Sequence, residues 1–286
     1  MAGWTLITLL NESDGVLGGI INPSSRYDHD STTVASTDPP HMPTPTPPPT
    51  FSFIIPAWNE AKVIAATVTS IATAADHCQL HHEIIVVDDS STDGTGEIAV
   101  AAGATVVTVA HRQIAATRNS GAAAASGNVL VFVDGDTTVT PRLLAAMAEA
   151  AGSGVTYGGC RVEFDGNHGW IARQFLNWTQ WILAVMKIVP GCFIYVQREA
   201  FDAVGGFNER YFAAEEWVLC RALRRQGRFR RLAESVTTSG RKLQTCSPVE
   251  IIWQFAKIFL TFSWATRHRD QLAMWYSPES REDQST

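Results

Sequence analysis

Positive charge is in short supply in this chain. Its 286 residues hold 22 Lys and Arg against 28 Asp and Glu, a formal net charge of −6. A general nucleic-acid binder needs a basic face, so no nucleic-acid partner is expected. The five cysteines (Cys78, Cys160, Cys192, Cys220, Cys246) are scattered, odd in number and never spaced C-x-x-C. That pattern argues against a zinc site or a disulfide framework and fits a reducing, cytoplasmic setting. No run of about 20 apolar residues occurs, so no spanning helix is expected. Attachment to a membrane surface, including the inner face of a cell membrane, needs no such run. Met1–Leu10 lacks a basic flank and a small-residue cleavage site, and no signal peptide is read there. There is no internal repeat.

What is present divides by texture. Residues 1–50 are rich in Ser, Thr, Asp and Pro and run through Pro-Thr-Pro-Thr-Pro-Pro-Pro before Thr50. Proline that dense builds neither helix nor interior strand, so an extended, mobile leader is expected. From Phe51 the pattern changes to alternating strand and helix. Apolar, β-branched runs at 51–55, 83–87, 105–109 and 128–133 read as strands, and 61–75, 96–102, 114–125 and 141–150 as helices. Further on, 158–164 and 192–196 read as strands, with helices over 168–188, 199–204 and 216–226 and an amphipathic one over 248–265. Residues 51–247 are expected to form one domain and 248–286 a helical tail. Alternation of this kind predicts an α/β fold with a central, mostly parallel mixed sheet flanked by helices. In such sheets ligands bind beyond the carboxyl ends of the strands. Acids gather at those ends here: Glu60, then Asp88 and Asp89, then Asp134 and Asp136.

Asp134-Gly135-Asp136 sharpens the question. Residues i and i+2 of an extended segment point to one side, so the two carboxylates would lie together. Like charges that close need a positive neighbour, or one of them keeps its proton. Two chemistries use such a pair. A hard divalent cation, Mg2+ or Mn2+, takes a few carboxylate oxygens and lets phosphates complete its shell, which suits transfer from a nucleotide diphosphate. Alternatively, an apolar strand followed by Asp-x-Asp-x-Thr resembles the opening motif of haloacid-dehalogenase-type phosphatases, with Asp134 as nucleophile and Asp136 as acid/base. That reading predicts a downstream lysine and a second acidic cluster. Only Lys187, Lys242 and Lys257 follow, and no Gly-Asp-x-x-x-Asp does.

The neighbours of Asp134 favour the first chemistry. Phe-Ile-Ile-Pro56-Ala-Trp-Asn-Glu60, Ile-Val-Val-Asp88-Asp89-Ser-Ser-Thr-Asp-Gly-Thr95, Ala-Thr-Arg118-Asn119-Ser-Gly121 and Val-Phe-Val-Asp134-Gly-Asp136 follow in order. Gly191 through Arg198-Glu-Ala-Phe-Asp-Ala-Val-Gly-Gly-Phe207 and then Glu215-Glu216 complete the series. Over Phe51 to about Leu243 the chain resembles the family-2 inverting glycosyltransferases of the GT-A, nucleotide-diphospho-sugar transferase fold.

The resemblance implies specific roles. Pro56, Ala57, Asn59, Glu60, Asp88 and Asp89 would line the base and ribose of a UDP- or GDP-sugar, with Asp89 on a base N–H. Asp88 also suits a helix N-cap or a turn. Arg118 would sit by the diphosphate. Asp136 would ligate the Mg2+ or Mn2+, Asp134 would face ribose and the metal's water shell, and Gly135 would let the donor approach closely. Glu216, or its neighbour Glu215, would be the base that deprotonates an acceptor hydroxyl. Where many relatives have a metal-binding histidine, this chain reads Thr-Thr-Ser-Gly-Arg241-Lys242, and those two cations are expected at the diphosphate. A GT-A-shaped binding module without turnover would carry the same outline.

The acceptor leaves a fainter trace. Trp170, Phe175, Trp178, Trp181, Ile182 and Met186 recur at helical spacing, and Trp253, Phe255, Phe259, Phe262 and Trp264 follow in the tail. Core packing is the default for such a stripe. A lipid-interface helix, with a polyprenyl- or other lipid-linked acceptor or a polysaccharide, is the sharper alternative.

Overall fold

In the computed structural model, the described residues are 50–165, 170–239 and 266. The expected leader through residue 49, the tail helix over 248–265, and Arg241 and Lys242 all lie outside them.

The first half builds as the periodicity predicts. Strand β1 (Thr50–Ala57) leads to helix α1 (Ile64–His77), β2 (His81–Asp88), α2 (Thr95–Ala101), β3 (Thr105–Thr108), α3 (Ile114–Ala124) and β4 (Val129–Val133). β1, β2, β3 and β4 pair in parallel, with β1 hydrogen-bonded to both β2 and β4. β1 thus lies where the strand order reverses, and the loops after β1, β2 and β4 open at one edge. Alternate residues face opposite sides. Phe53, Ile55, Val129, Val131 and Val133 pack with Ile64, Val68, Ile71, Leu143 and Met147. On the other face Ile54, Leu130 and Phe132 pack with Ala115, Ala122, Phe201, Leu219 and Leu223. Period-2 strands with apolar residues on both faces are what a helix-covered sheet requires.

The second half closes the sheet. After the two-residue β5 (Thr137–Thr138) come α4 (Pro141–Gly152), β6 (Tyr157–Phe164), α5 (Trp170–Val185), β7 (Phe193–Gln197), α6 (Arg198–Ala203), α7 (Glu215–Leu223) and β8 (Phe229–Thr238). Thr140 caps α4 by accepting from the Leu143 N–H at 3.3 Å, and Pro141 opens the helix, where its missing N–H costs nothing. The eight strands run β3-β2-β1-β4-β7-β6-β8-β5. β7 is antiparallel to β4 and β6, β8 is parallel to β6, and β5 is antiparallel to β8, so the sheet is mixed as expected.

Two corrections concern boundaries. Pro56 and Ala57, read as loop, are the last residues of β1, paired with Val87 and Asp88. β8 was not expected. Its ten residues carry three charges, and in the stretch Phe229–Thr238 only Leu232, Val236 and Thr238 are buried, so the apolar alternation of an interior strand is absent.

Candidate active site

Strand tips and helix starts bring the acids together. Asp134 follows β4 and is held by its N–H on the Cys192 carbonyl, 3.2 Å, while its own carbonyl accepts from the Thr137 N–H. The Gly135 carbonyl accepts from the buried Thr67 hydroxyl of α1 at 2.8 Å, which ties the Asp-Gly-Asp turn to the helix after β1. A Cβ on Gly135 would stand 3.4 Å from both the Pro56 carbonyl oxygen and Glu60 Cγ, so the turn lies directly against the loop after β1. β8 reaches the same place from the far edge: the Thr238 hydroxyl donates to Asp136 Oδ1 at 3.0 Å.

The positive neighbour demanded by the paired carboxylates is Arg118. Only 1% exposed, its guanidinium donates to Asp134 Oδ1 at 2.8 Å, to Glu215 Oε1 at 2.6 Å and to the Gly191 carbonyl at 3.0 Å. Nε finds no partner among the described residues. Arg118 therefore does not present its guanidinium to a diphosphate, as the resemblance implied. It is the internal counter-ion that joins the β4 turn to the start of α7. Burial works against its charge, but the carboxylates of Asp134 and Glu215 outweigh it and hold the proton more firmly than usual.

Glu215 and Glu216 open α7 behind Ala214, which takes a left-handed φ of 57°. A non-glycine residue there is strained and aims the chain sharply into the helix. Two acids in the first turn suit the helix dipole. Their surroundings differ. Glu215 is buried and locked to Arg118. Glu216 is partly exposed as a residue, but its carboxyl is enclosed, beside the position a Gly191 side chain would fill, where a Cβ would lie 3.8 Å from its carboxyl carbon. Burial first, then the Glu215 carboxylate, push the Glu216 carboxyl up to about 8, against the pull of its own backbone N–H and of Arg118. An acid whose folded value lies above its ordinary 4.5 binds more protons folded than unfolded. Its contribution favours folding below 4.5 and is lost as pH rises toward about 8. Substituting Glu216→Gln should therefore flatten the fall in stability across that window, measured by urea unfolding at a series of pH values.

Three of the expected nucleotide-lining residues brace loops. The Asn59 N–H donates to Ser91 Oγ at 2.9 Å and its Oδ1 accepts from the Thr92 N–H. The Glu60 N–H donates to Thr95 Oγ1 at 2.8 Å. Asp88 Oδ1 accepts from the Ser91 N–H at 3.0 Å, the turn role that was its alternative. Asp89 requires a correction. Its Oδ1 accepts from the His111 and Arg112 N–H groups at 2.7 and 2.9 Å, and its Oδ2 from the Gln113 N–H and the Thr117 hydroxyl at 3.2 and 3.0 Å. Four donors occupy a carboxylate with about four lone-pair sites. Asp89 clasps the start of α3 and has nothing left for a base N–H. A residue that sequence reasoning passed over, Arg112, stacks its guanidinium 4.5 Å above the Trp58 ring at the same edge.

A hard cation fits the donor set. Among the described residues no three His, Cys, Asp or Glu side chains converge as a metal cage. Asp136, which accepts from Thr238, and Asp134, one-third exposed, are the two carboxylates that would hold such an ion, since one or two suffice when phosphates complete the shell.

Against known proteins, residues 52–205 match the family model for glycosyl transferase family 2. The chain belongs to that family. Among curated relatives, glycosyltransferase AglE of Haloferax volcanii is 29% identical over 171 residues, 56% of either chain. The chain thus spans little more than half of that relative's length. The mannosyltransferase PcManGT of Pyrobaculum calidifontis, solved with GDP-Man and Mn2+, superposes with a TM-score of 0.56 at 23% identity, covering 68% of this chain and 58% of that one. Glucosyl-3-phosphoglycerate synthase of Mycobacterium tuberculosis, solved with Mn2+ and UDP, gives 0.52 at 21% identity, covering 77% and 80%. At those identities the likeness is one of fold, and the GT-A architecture stands. Family 2 membership also sets aside the phosphatase reading, in which Asp134 would be a free nucleophile; here it is paired to Arg118.

Proposed function

We propose that this family 2 protein transfers a hexose with inversion from a UDP- or GDP-sugar to an acceptor hydroxyl, with Glu216 as base. One observation carries the reading: Arg118 gathers Asp134, after β4, and Glu215, at the start of α7, into one buried cluster, with Glu216 beside it across Gly191. The acceptor oxygen attacks the anomeric carbon as the bond to the diphosphate oxygen breaks, and Glu216 takes the hydroxyl proton. Glu215 holds Arg118 in place and is not available as a base. Asp136 and Asp134 would hold the Mg2+ or Mn2+, which, when bound, neutralises charge on the departing diphosphate. Pro56, Ala57, Asn59, Glu60 and Asp88 shape the wall against which base and ribose rest, and Arg241 and Lys242 are assigned to the diphosphate. Residues 51–247 are the catalytic domain, preceded by a leader and followed by a tail. The acceptor is lipid-linked or a polysaccharide, and the enzyme works at the cytoplasmic face of a membrane.

A ligand that binds only the folded state raises its stability by mass action. In a thermal-shift screen of UDP-, GDP- and dTDP-sugars with and without Mn2+, one donor should raise the melting temperature by several degrees, and more with Mn2+. No shift with any donor would remove the transferase reading. A shift without product on any acceptor would favour the binding module.

A further inference from the structure

The default expectation for the aromatic stripe of α5 was burial. Trp170, Trp178, Trp181 and Val185 are instead 69, 60, 62 and 64% exposed. Gln174 and Asn177 are exposed with them. At roughly 3.6 residues per turn these six fall within an arc of about 100°, one face of the helix. No charge interrupts that face. The opposite side is anchored: the Gln180 amide donates to the Val162 carbonyl and accepts from the Val162 N–H, both at 2.9 Å, and Leu183 and Met186 pack on the core. The helix is thus fixed to β6 with its tryptophans turned outward.

We infer that this face of α5 is where the enzyme rests on a lipid surface, an inference that builds on the proposed transferase reading and gives its membrane partner a docking site. Size argues against a second copy of the chain. From Trp170 to Val185 the strip is about 22 Å long and one helix, about 10 Å, wide. That offers about 220 Å2, against about 800 Å2 per partner in a standard stable interface. Composition points the same way. Tryptophan pairs a large apolar ring with one N–H, the combination favoured between acyl chains and headgroups, and Gln174 and Asn177 supply further headgroup-level polarity. With net charge −6 and no cation on the strip, the attachment depends on ring insertion rather than on anionic lipid. Position links the face to the site. Six residues beyond Val185, the Gly191 carbonyl accepts from Arg118 at 3.0 Å, close beside Glu216. An acceptor carried in the same surface would meet the base there.

The test is flotation of the full chain with neutral phosphatidylcholine vesicles, compared with the W170S/W178S/W181S variant. The unmodified protein should float at low and high salt alike, and the triple variant should lose at least tenfold in vesicle partitioning at unchanged melting temperature. Quenching of tryptophan fluorescence by brominated phosphatidylcholine should fall in parallel. Failure of the unmodified protein to float, or equal flotation of the variant, overturns the inference. So does a dimer in sedimentation that the three substitutions dissociate, which would give the face to a second copy. Donor thermal shifts, read without vesicles, report separately on the transferase reading.

Discussion

Substituting Arg118→Met should destabilise the protein by about 3–5 kcal/mol, the cost of leaving buried carboxylates without their counter-charge. Urea unfolding at neutral pH measures it. The expected loss follows from geometry. One guanidinium serves Asp134, Glu215 and the Gly191 carbonyl together, and Glu215 is only 4% exposed. Substituting Arg118→Lys keeps the charge but replaces a planar fork with a single ammonium, which cannot reach all three partners at once, so it should recover only part of the loss. The double variant Arg118→Met with Glu215→Met should recover more, because exchanging both members of a buried pair for apolar groups is often neutral. Transfer should be lost in the single and the double variant alike, since Asp134 is untethered in both. If Arg118→Met left stability within 1 kcal/mol of the unmodified chain, roughly the worth of an exposed pair, the buried counter-ion assignment would fall.

The second large effect belongs to Glu216. Glu216→Gln keeps size and removes the proton acceptor, so kcat should drop by about 10^2–10^4, the usual contribution of a positioned base, while KM for the donor changes little. The rate of the unmodified enzyme should rise with pH through about 8, because only the ionised carboxylate accepts a proton, and that limb should vanish in the variant. Glu215→Gln should behave differently: a stability loss like that of breaking a buried pair, with residual turnover falling as Arg118 loosens. Turnover abolished by Glu215→Gln at full stability, with Glu216→Gln still active, would reverse the two roles.

The sheet was readable because its strands obey simple periods. Val129–Val133 is wholly buried and ends at an acid, as a helix-covered parallel strand should. β8 was not readable, since much of its length is half-exposed and its partner β6 shifts register between Gly159 and Arg161. The need for a cation beside Asp134 was legible from two like charges, but its source was not assigned to Arg118. A signal did exist. Ala115, Arg118 and Ala122 fall at helical spacing on one stripe, and all three are buried. An arginine on the inward stripe of an alanine-rich helix must find buried acids. Asp89 misled for the opposite reason: a carboxylate closing a strand reads alike whether it faces a ligand or a helix start twenty-odd residues on, and only the backbone path separates the two.

That clasp has a consequence for interpreting inactive variants. Asp89 fixes the first turn of α3 through three backbone N–H groups and Thr117, and the next residue is Arg118. Shortening Asp89 to alanine would let the helix start drift, and the guanidinium one position on would drift with it. Lost turnover in such a variant would be a lever-arm effect, transmitted along one turn of backbone from a carboxylate whose hydrogen bonds go to the start of α3.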